Sequence, residues 1–261
     1  MKRIAAALSC VLVTGVVFAG SPSRVLIPTL YNGPGALGSR WFCGVLVDNR
    51  EPTPFKSPGV SFKALCTIPE GCTTDQVDSG GWGQLWDPLP VNGLLLYLPS
   101  ENAHIAFMAR LAASPRSPIS GGTELPVVRE REFTSGPIEL PFVPLRSFSS
   151  DGLRTTLRIY APDAQAGTFV RVQLGGSPEA APSFATTVAL NAPLQPGTVP
   201  IYPGFAQLTL QDAFPAAALS YDTWNVFVIP IPFDSTSTPR IWAFVSITNN
   251  ASQEVTIQRP Q

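Results

Sequence analysis

Trp41-Phe-Cys-Gly-Val-Leu-Val-Asp-Asn49 sets the reading of this chain. Trp41, Cys43, Val45 and Val47 recur at every second position, so an extended strand places all four on one face. A Gly/Pro segment, 32–38, precedes the stretch, and Asp48-Asn49 is a turn signal that closes it. Similar runs follow at short spacing: Val60–Cys66, Leu94–Leu98, Ile105–Leu111, Phe169–Leu174, Ala206–Leu210, Trp224–Ile229 and Glu254–Ile257. They alternate or are rich in β-branched and aromatic residues, as strands are. The connections are too short for crossover helices, so the strands should pair antiparallel.

Composition agrees. Charged residues make up 13% and hydrophobic residues 44% of the 261, with a net charge of −1. Glycine and proline, 21 and 28 residues, leave few uninterrupted helical windows, which excludes a coiled coil or helical bundle. No basic surplus exists to neutralise phosphates, so nucleic acid is not an expected partner. High apolar content with low charge argues against disorder. The expected class is all-β, with at most a short helix over Asp212–Leu219. Pro230 and Pro232 cannot donate ladder bonds and mark an edge or a strand end.

Residues 1–19 read as a secretory signal peptide. Lys2 and Arg3 precede an uncharged run from Ile4 to Phe18, and Val17 and Ala19 fit cleavage before Gly20. The run falls short of the roughly 20 residues that span a bilayer, and no later segment is long enough. The product is expected to be secreted or periplasmic, with no stable membrane span after signal removal. Export permits a disulfide. Cys66 and Cys72 bracket a turn-forming insert and form the favoured pair; a bridge from Cys43 to either and no bridge at all are the alternatives.

Two halves show the same outline. Trp41, Val45 and Val47 match Leu153, Leu157 and Ile159 at an offset of 112 residues, and Ile105–Leu111 matches Ile241–Ile247 at an offset of 136. The difference points to an insertion near 175–203. A polar stretch, 147–152, separates the halves. The expected organisation is two immunoglobulin-like antiparallel β-sandwich domains in tandem, 24–146 and 153–261. Shared alternation alone could produce the match in two unrelated sandwiches.

Ser39-Arg-Trp41, Leu46-Val-Asp-Asn49, Gly122-Thr-Glu-Leu-Pro-Val-Val-Arg129, Leu153-Arg-Thr-Thr-Leu-Arg-Ile-Tyr160 and Ile241-Trp-Ala-Phe-Val-Ser-Ile-Thr-Asn-Asn250 resemble a loose family of uncharacterised exported bacterial proteins. That resemblance implies tandem immunoglobulin-like modules and carries over no functional residue.

Catalytic chemistry has little to work with. His104 is the single histidine, beside a strand, and no Gly-x-Ser-x-Gly elbow occurs. Glu130 and Glu132 could act as a carboxylate pair, but alternation with Arg129 and Arg131 reads better as a solvated or edge-protecting strand face. Asp75, Asp78 and Asp87 do not have calcium-loop spacing. Neither catalytic residue, metal ligand nor cofactor is expected. The best binding candidate is Ser79-Gly-Gly-Trp-Gly-Gln-Leu-Trp-Asp-Pro88, where Trp82 and Trp86 lie among glycines that suggest a loop presenting flat rings to a sugar or peptide. The competing and favoured reading has both rings capping the first sandwich. Trp41, Trp224 and Trp242 belong to the expected core. Together these features indicate a non-catalytic exported module for adhesion, recognition or structure, whose partner is an extracellular protein or glycan. The alternative is a carbohydrate-binding protein using Trp82 and Trp86.

Overall fold

A computed structural model describes residues 23–30, 32–34, 40–64, 72–86, 92–113, 122–145, 152–175, 184–191, 202–218, 222–234 and 237–261. The expected signal peptide, the polar stretch up to 151 and most of the expected insertion lie outside these residues. In chain order the first strands are β1 (Ser23–Ile27), β2 (Asn32–Pro34), β3 (Arg40–Asn49), β4 (Ser61–Ala64), β5 (Cys72–Thr74), β6 (Trp82–Trp86), β7 (Leu94–Leu98), β8 (Ile105–Ala113), β9 (Thr123–Leu125) and β10 (Val128–Arg129). Then come β11 (Ile138–Pro144), β12 (Leu153–Ala161), β13 (Phe169–Leu174), β14 (Phe184–Ala189), β15 (Gly204–Thr209), α1 (Leu210–Ala213), α2 (Pro215–Ala218), β16 (Thr223–Pro230), β17 (Trp242–Asn249) and β18 (Val255–Gln258). The protein is all-β, and its strand pairs are antiparallel. The expected helix is two single turns, because Pro215 has no N–H to continue the first and starts the second.

Among the described residues the strands form four sheets, in the orders β10-β1-β7, β5-β4-β6-β3-β8-β9 with β2 on β3, β11-β16-β13-β14, and β15-β12-β17-β18. The first two enclose a core of Val25, Ile27, Leu94, Leu96 and Leu98 against Val45, Val47, Phe62, Leu85 and Ala109. The other two enclose Leu140, Val143, Val172, Val226 and Val228 with Leu157, Ile159, Ala243 and Val245. Trp41, Trp224 and Trp242 are all buried, as expected.

β11 departs from the sequence reading. Residues 138–144, placed in the domain 24–146, pair with β16 from Ile138 opposite Val228 to Pro144 opposite Thr223. Leu140 and Val143 need the apolar face of the later sheets to leave water, so the division at 146/153 does not follow the sheet pairing. The last strand to join the first unit is β10, through Arg129 opposite Val25.

A third apolar layer joins the units. Leu26, Leu95 and Val128, on the outer face of the small sheet, pack against Tyr160, Trp242 and Phe244 on the outer face of the β12–β17 sheet. β1 and β7 are therefore covered on both sides. That is why Leu94-Leu-Leu-Tyr-Leu98 is a continuous apolar run and not an alternation. Tyr160 is fully buried in this layer, stacked 6.3 Å from the Phe244 ring and 5.2 Å from Phe205, with its hydroxyl donating to the Pro28 carbonyl. Gly93 lies against the Tyr160 ring. A Cβ there would stand 2.9 Å from the ring edge, so a side chain would force the loop away.

Candidate functional site

The Trp82–Trp86 segment is a strand, not a loop. β6 lies between β4 and β3, with Leu85 opposite Phe62, Gln84 opposite Leu46 and Trp82 opposite Asp48. Its glycine serves packing. Gly83 points inward, and a Cβ would meet Val77 Cγ2 at 2.7 Å. Leu85 points inward as well and is buried. The alternation of the strand therefore sends Trp82 and Gln84 to the outer face.

Trp82 does not cap the sandwich. It is 54% exposed. Trp86 ends β6 opposite Ser61, and its side chain is outside the described part of the molecule. Register places Asp48 and Ala106 beside Trp82 across the ladder, and Lys63, Leu46 and Met108 beside Gln84. Asp48 accepts a hydrogen bond from Arg50 Nε at 2.6 Å. The outer face thus combines an exposed indole with amide, guanidinium and ammonium groups, a set that can stack on and hydrogen-bond a polar ligand, while the Asp48 carboxylate is buried beneath Arg50.

The remaining sequence candidates are separate from one another. His104 is exposed before β8; its backbone N–H donates to the Glu51 carboxylate, and its carbonyl accepts from the Arg50 amide at 2.9 Å. Asp75 pairs with Lys56 at 2.9 Å, and Asp78 accepts from Gln76 at 2.7 Å, while Asp87 lies outside the described residues. Among the described residues no group of three or more His, Cys, Asp or Glu side chains is placed to hold a metal. Cys72 opens β5 opposite Ala64; Cys66 lies outside the described residues. The Cys43 thiol donates to the Thr29 carbonyl at 3.1 Å.

Glu130 and Glu132 do not share a strand face. They occupy a 3-10 turn, in which the Glu132 carboxylate accepts the Arg129 backbone N–H at 2.8 Å. Glu130 faces the second unit and joins a closed ring of four charges. Arg24 holds its two carboxylate oxygens at 2.7 Å each, Arg240 reaches it at 2.6 Å, and both arginines reach Asp163, at 2.7 and 2.6 Å. Burial works to raise the Glu130 and Asp163 pKa values. The hydrogen bonds and charges of the two arginines outweigh it and hold both below the ordinary carboxylate range. These carboxylates are ionised structural partners, without the raised value a general acid needs.

Arg24, Asp163 and Arg240 carry no local sequence signal, because each finds its partner across a long separation in the chain. Arg154 and Arg158 are equally silent as sequence, although they share one face of β12 with Thr156. No helix among the described residues is long and apolar enough to cross a membrane. Comparison with protein-family models, with curated proteins and with solved structures finds no match.

Proposed function

We propose that this chain is a non-catalytic exported recognition or structural module, built from two immunoglobulin-like sandwiches, and that the outer face of the β6–β3–β8 sheet is its contact surface. Topology supports the immunoglobulin-like reading. β1 pairs with β7 in one sheet, while β6, β3, β8 and β9 are neighbours in the other; in the second unit β11 pairs with β16, while β15, β12, β17 and β18 are neighbours. Two-sheet antiparallel division of this kind is the plan of immunoglobulin domains.

The observation that carries the functional reading is a difference between equivalent faces. Phe205 and Trp242 flank Tyr160 in the second unit as Trp82 and Ala106 flank Asp48 in the first. In the second unit that face is buried against the first unit. In the first unit the matching position presents an indole that is 54% exposed. An exposed large aromatic at a position that the other repeat uses for packing marks a surface for association.

The exposed indole, with Gln84 and Asp48 near it, also favours a second reading, glycan binding. A glycan array and pull-down on insoluble polysaccharides, with wild type and Trp82→Ala, separates the two. Retention by a polysaccharide that Trp82→Ala abolishes makes the module a lectin-like one. No retention on any glycan leaves the protein–protein reading. Binding that Trp82→Ala leaves intact removes this face from the account.

A further inference from the structure

Arg154, Thr156 and Arg158 occupy alternate positions of β12 and face the first unit, while Leu157 and Ile159 face the second unit's own core. The face they share has two ends of different character. Around Tyr160 it is apolar and closed against Leu26 and Leu95. Around Arg158 and Arg154 it is polar, with Gln207 opposite Arg158 on β15, and Thr209 and Ser246 opposite Thr156 on β15 and β17. Here the two units do not close. A cavity of 390 Å3 remains, with the arginines on one wall and Trp41, Leu111 and Leu125 among the residues of the other. That volume is within the range of small-molecule sites, roughly 300–1,000 Å3.

Among the described residues no carboxylate lines this cavity. At the other end of the interface Arg24 and Arg240 are neutralised by sharing Glu130 and Asp163. Arg158 has the Ser246 hydroxyl as a hydrogen-bond partner and the Phe244 ring 5.8 Å away. Among the described residues no carboxylate pairs with it or with Arg154; burial disfavours its charge most, Tyr160 favours it, and Arg154, of the same sign, opposes it. Burial pulls its pKa below the ordinary guanidinium value, the mark of a cation removed from water without a counter-ion. With carboxylates at one end of the interface and none among the described residues that line the cavity, a negative charge from outside fits there.

We propose that this cavity binds a small organic anion, a carboxylate on a compact apolar or aromatic body. A planar guanidinium matches a planar carboxylate through two parallel N–H···O bonds, and the neighbouring threonine hydroxyls add donors. Trp41, Leu111 and Leu125 supply the surface against which the body of the ligand leaves water.

Calorimetric titration of the purified full chain at fixed ionic strength tests this, using benzoate as probe, with acetate, sulfate and benzyl alcohol alongside. Benzoate should bind saturably and raise the melting temperature, with acetate at least tenfold weaker for lack of a body. Benzyl alcohol should be at least tenfold weaker for lack of charge. Arg158→Met should lose at least tenfold in benzoate affinity, yet melt no lower than wild type in anion-free buffer, because it removes an unpaired buried charge. A purely structural arginine would show the opposite pattern. Arg154→Gln should also weaken binding and carries the comparison where Arg158→Met does not fold; the exposed Arg259→Gln should stay within twofold of wild type. Absence of saturable benzoate binding overturns the proposal. So does sulfate or benzyl alcohol binding as well as benzoate, or benzoate affinity retained in both cavity variants.

Discussion

Val45 stands directly opposite Ala109 in the β3–β8 pair, and Leu157 stands opposite Val245 in β12–β17. The second pair lies 112 and 136 residues further along the chain than the first, the same offsets that relate the two halves as sequence. Val47 opposite Phe107 and Ile159 opposite Ala243 repeat the relation. A one-residue slip in either half would turn its core face to water, so the two strand pairs hold matching registers at these positions. The halves differ in where one hairpin sits. β4–β5 lies beside β6, whereas β13–β14 joins β16 in the opposite sheet.

The apolar layer between the units predicts one unfolding transition. Tyr160, Trp242 and Phe244 pack against Leu26, Leu95 and Val128, so separating the units would open this layer to water. Trp242→Ala should cost roughly 3–5 kcal/mol, as large-to-small core changes do. Tyr160→Phe should cost about 1–2 kcal/mol through the lost bond to the Pro28 carbonyl. Calorimetry with chemical denaturation checks both. Two resolved transitions, with the second unit unaffected by Trp242→Ala, would contradict a fused core.

The four-charge ring predicts acid sensitivity with a definite sign. Glu130 and Asp163 have folded pKa values depressed below their ordinary 4.5 and 3.8. Their stabilisation is therefore complete above about pH 4.5 and is lost as pH falls through the lower folded values. Glu130→Gln should cost roughly 2 kcal/mol at pH 7 and flatten the loss of stability below pH 4.5. Urea melts of both proteins across pH 2.5–7 give the comparison; parallel curves throughout would deny the ring its role.

What the sequence makes legible is what alternation encodes locally. The all-β class and the core positions of Trp41, Trp224 and Trp242 follow from side-chain period. What it hides depends on distant partners. Residues 138–143 fall by chain order in the expected first domain, and only the pairing with β16 places them with the later sheets. Glu130 looks solvated because Arg24 lies 106 residues away. Glycines around Trp82 resemble a loop, whereas Gly83 is there for close packing on Val77. The favoured burial of both rings does not extend to Trp82, since β6 parity turns it outward.

That parity predicts opposite outcomes for adjacent residues. Trp82→Ala should change stability by less than about 1 kcal/mol, since the ring is mostly outside the core. Gly83→Val should destabilise by roughly 2 kcal/mol or more, because Val77 occupies the space its side chain would enter. Thermal melts of the two variants suffice, and a larger loss from Trp82→Ala than from Gly83→Val would reverse the assignment of the faces.

Export and the Cys66–Cys72 pairing remain proposals, and one mass measurement on secreted protein addresses both. β4 and β5 are antiparallel neighbours, with Ala64 opposite Cys72, so Cys66 lies two residues beyond the pairing position in the connection that returns the chain to Cys72. A bridge there closes a short loop and restrains a hairpin at the end of its sheet, because among the described residues β5 has β4 as its one strand neighbour. Closing so short a loop should add about 2–3 kcal/mol. Secreted protein should begin within a few residues of Gly20, and alkylation without reduction should label Cys43 alone. Reduction should add two labelled sites, in the peptides that contain Cys66 and Cys72, and lower the melting temperature. Three labelled thiols before reduction, or a bridged peptide containing Cys43, would show that the hairpin is held by its ladder bonds without a covalent clasp.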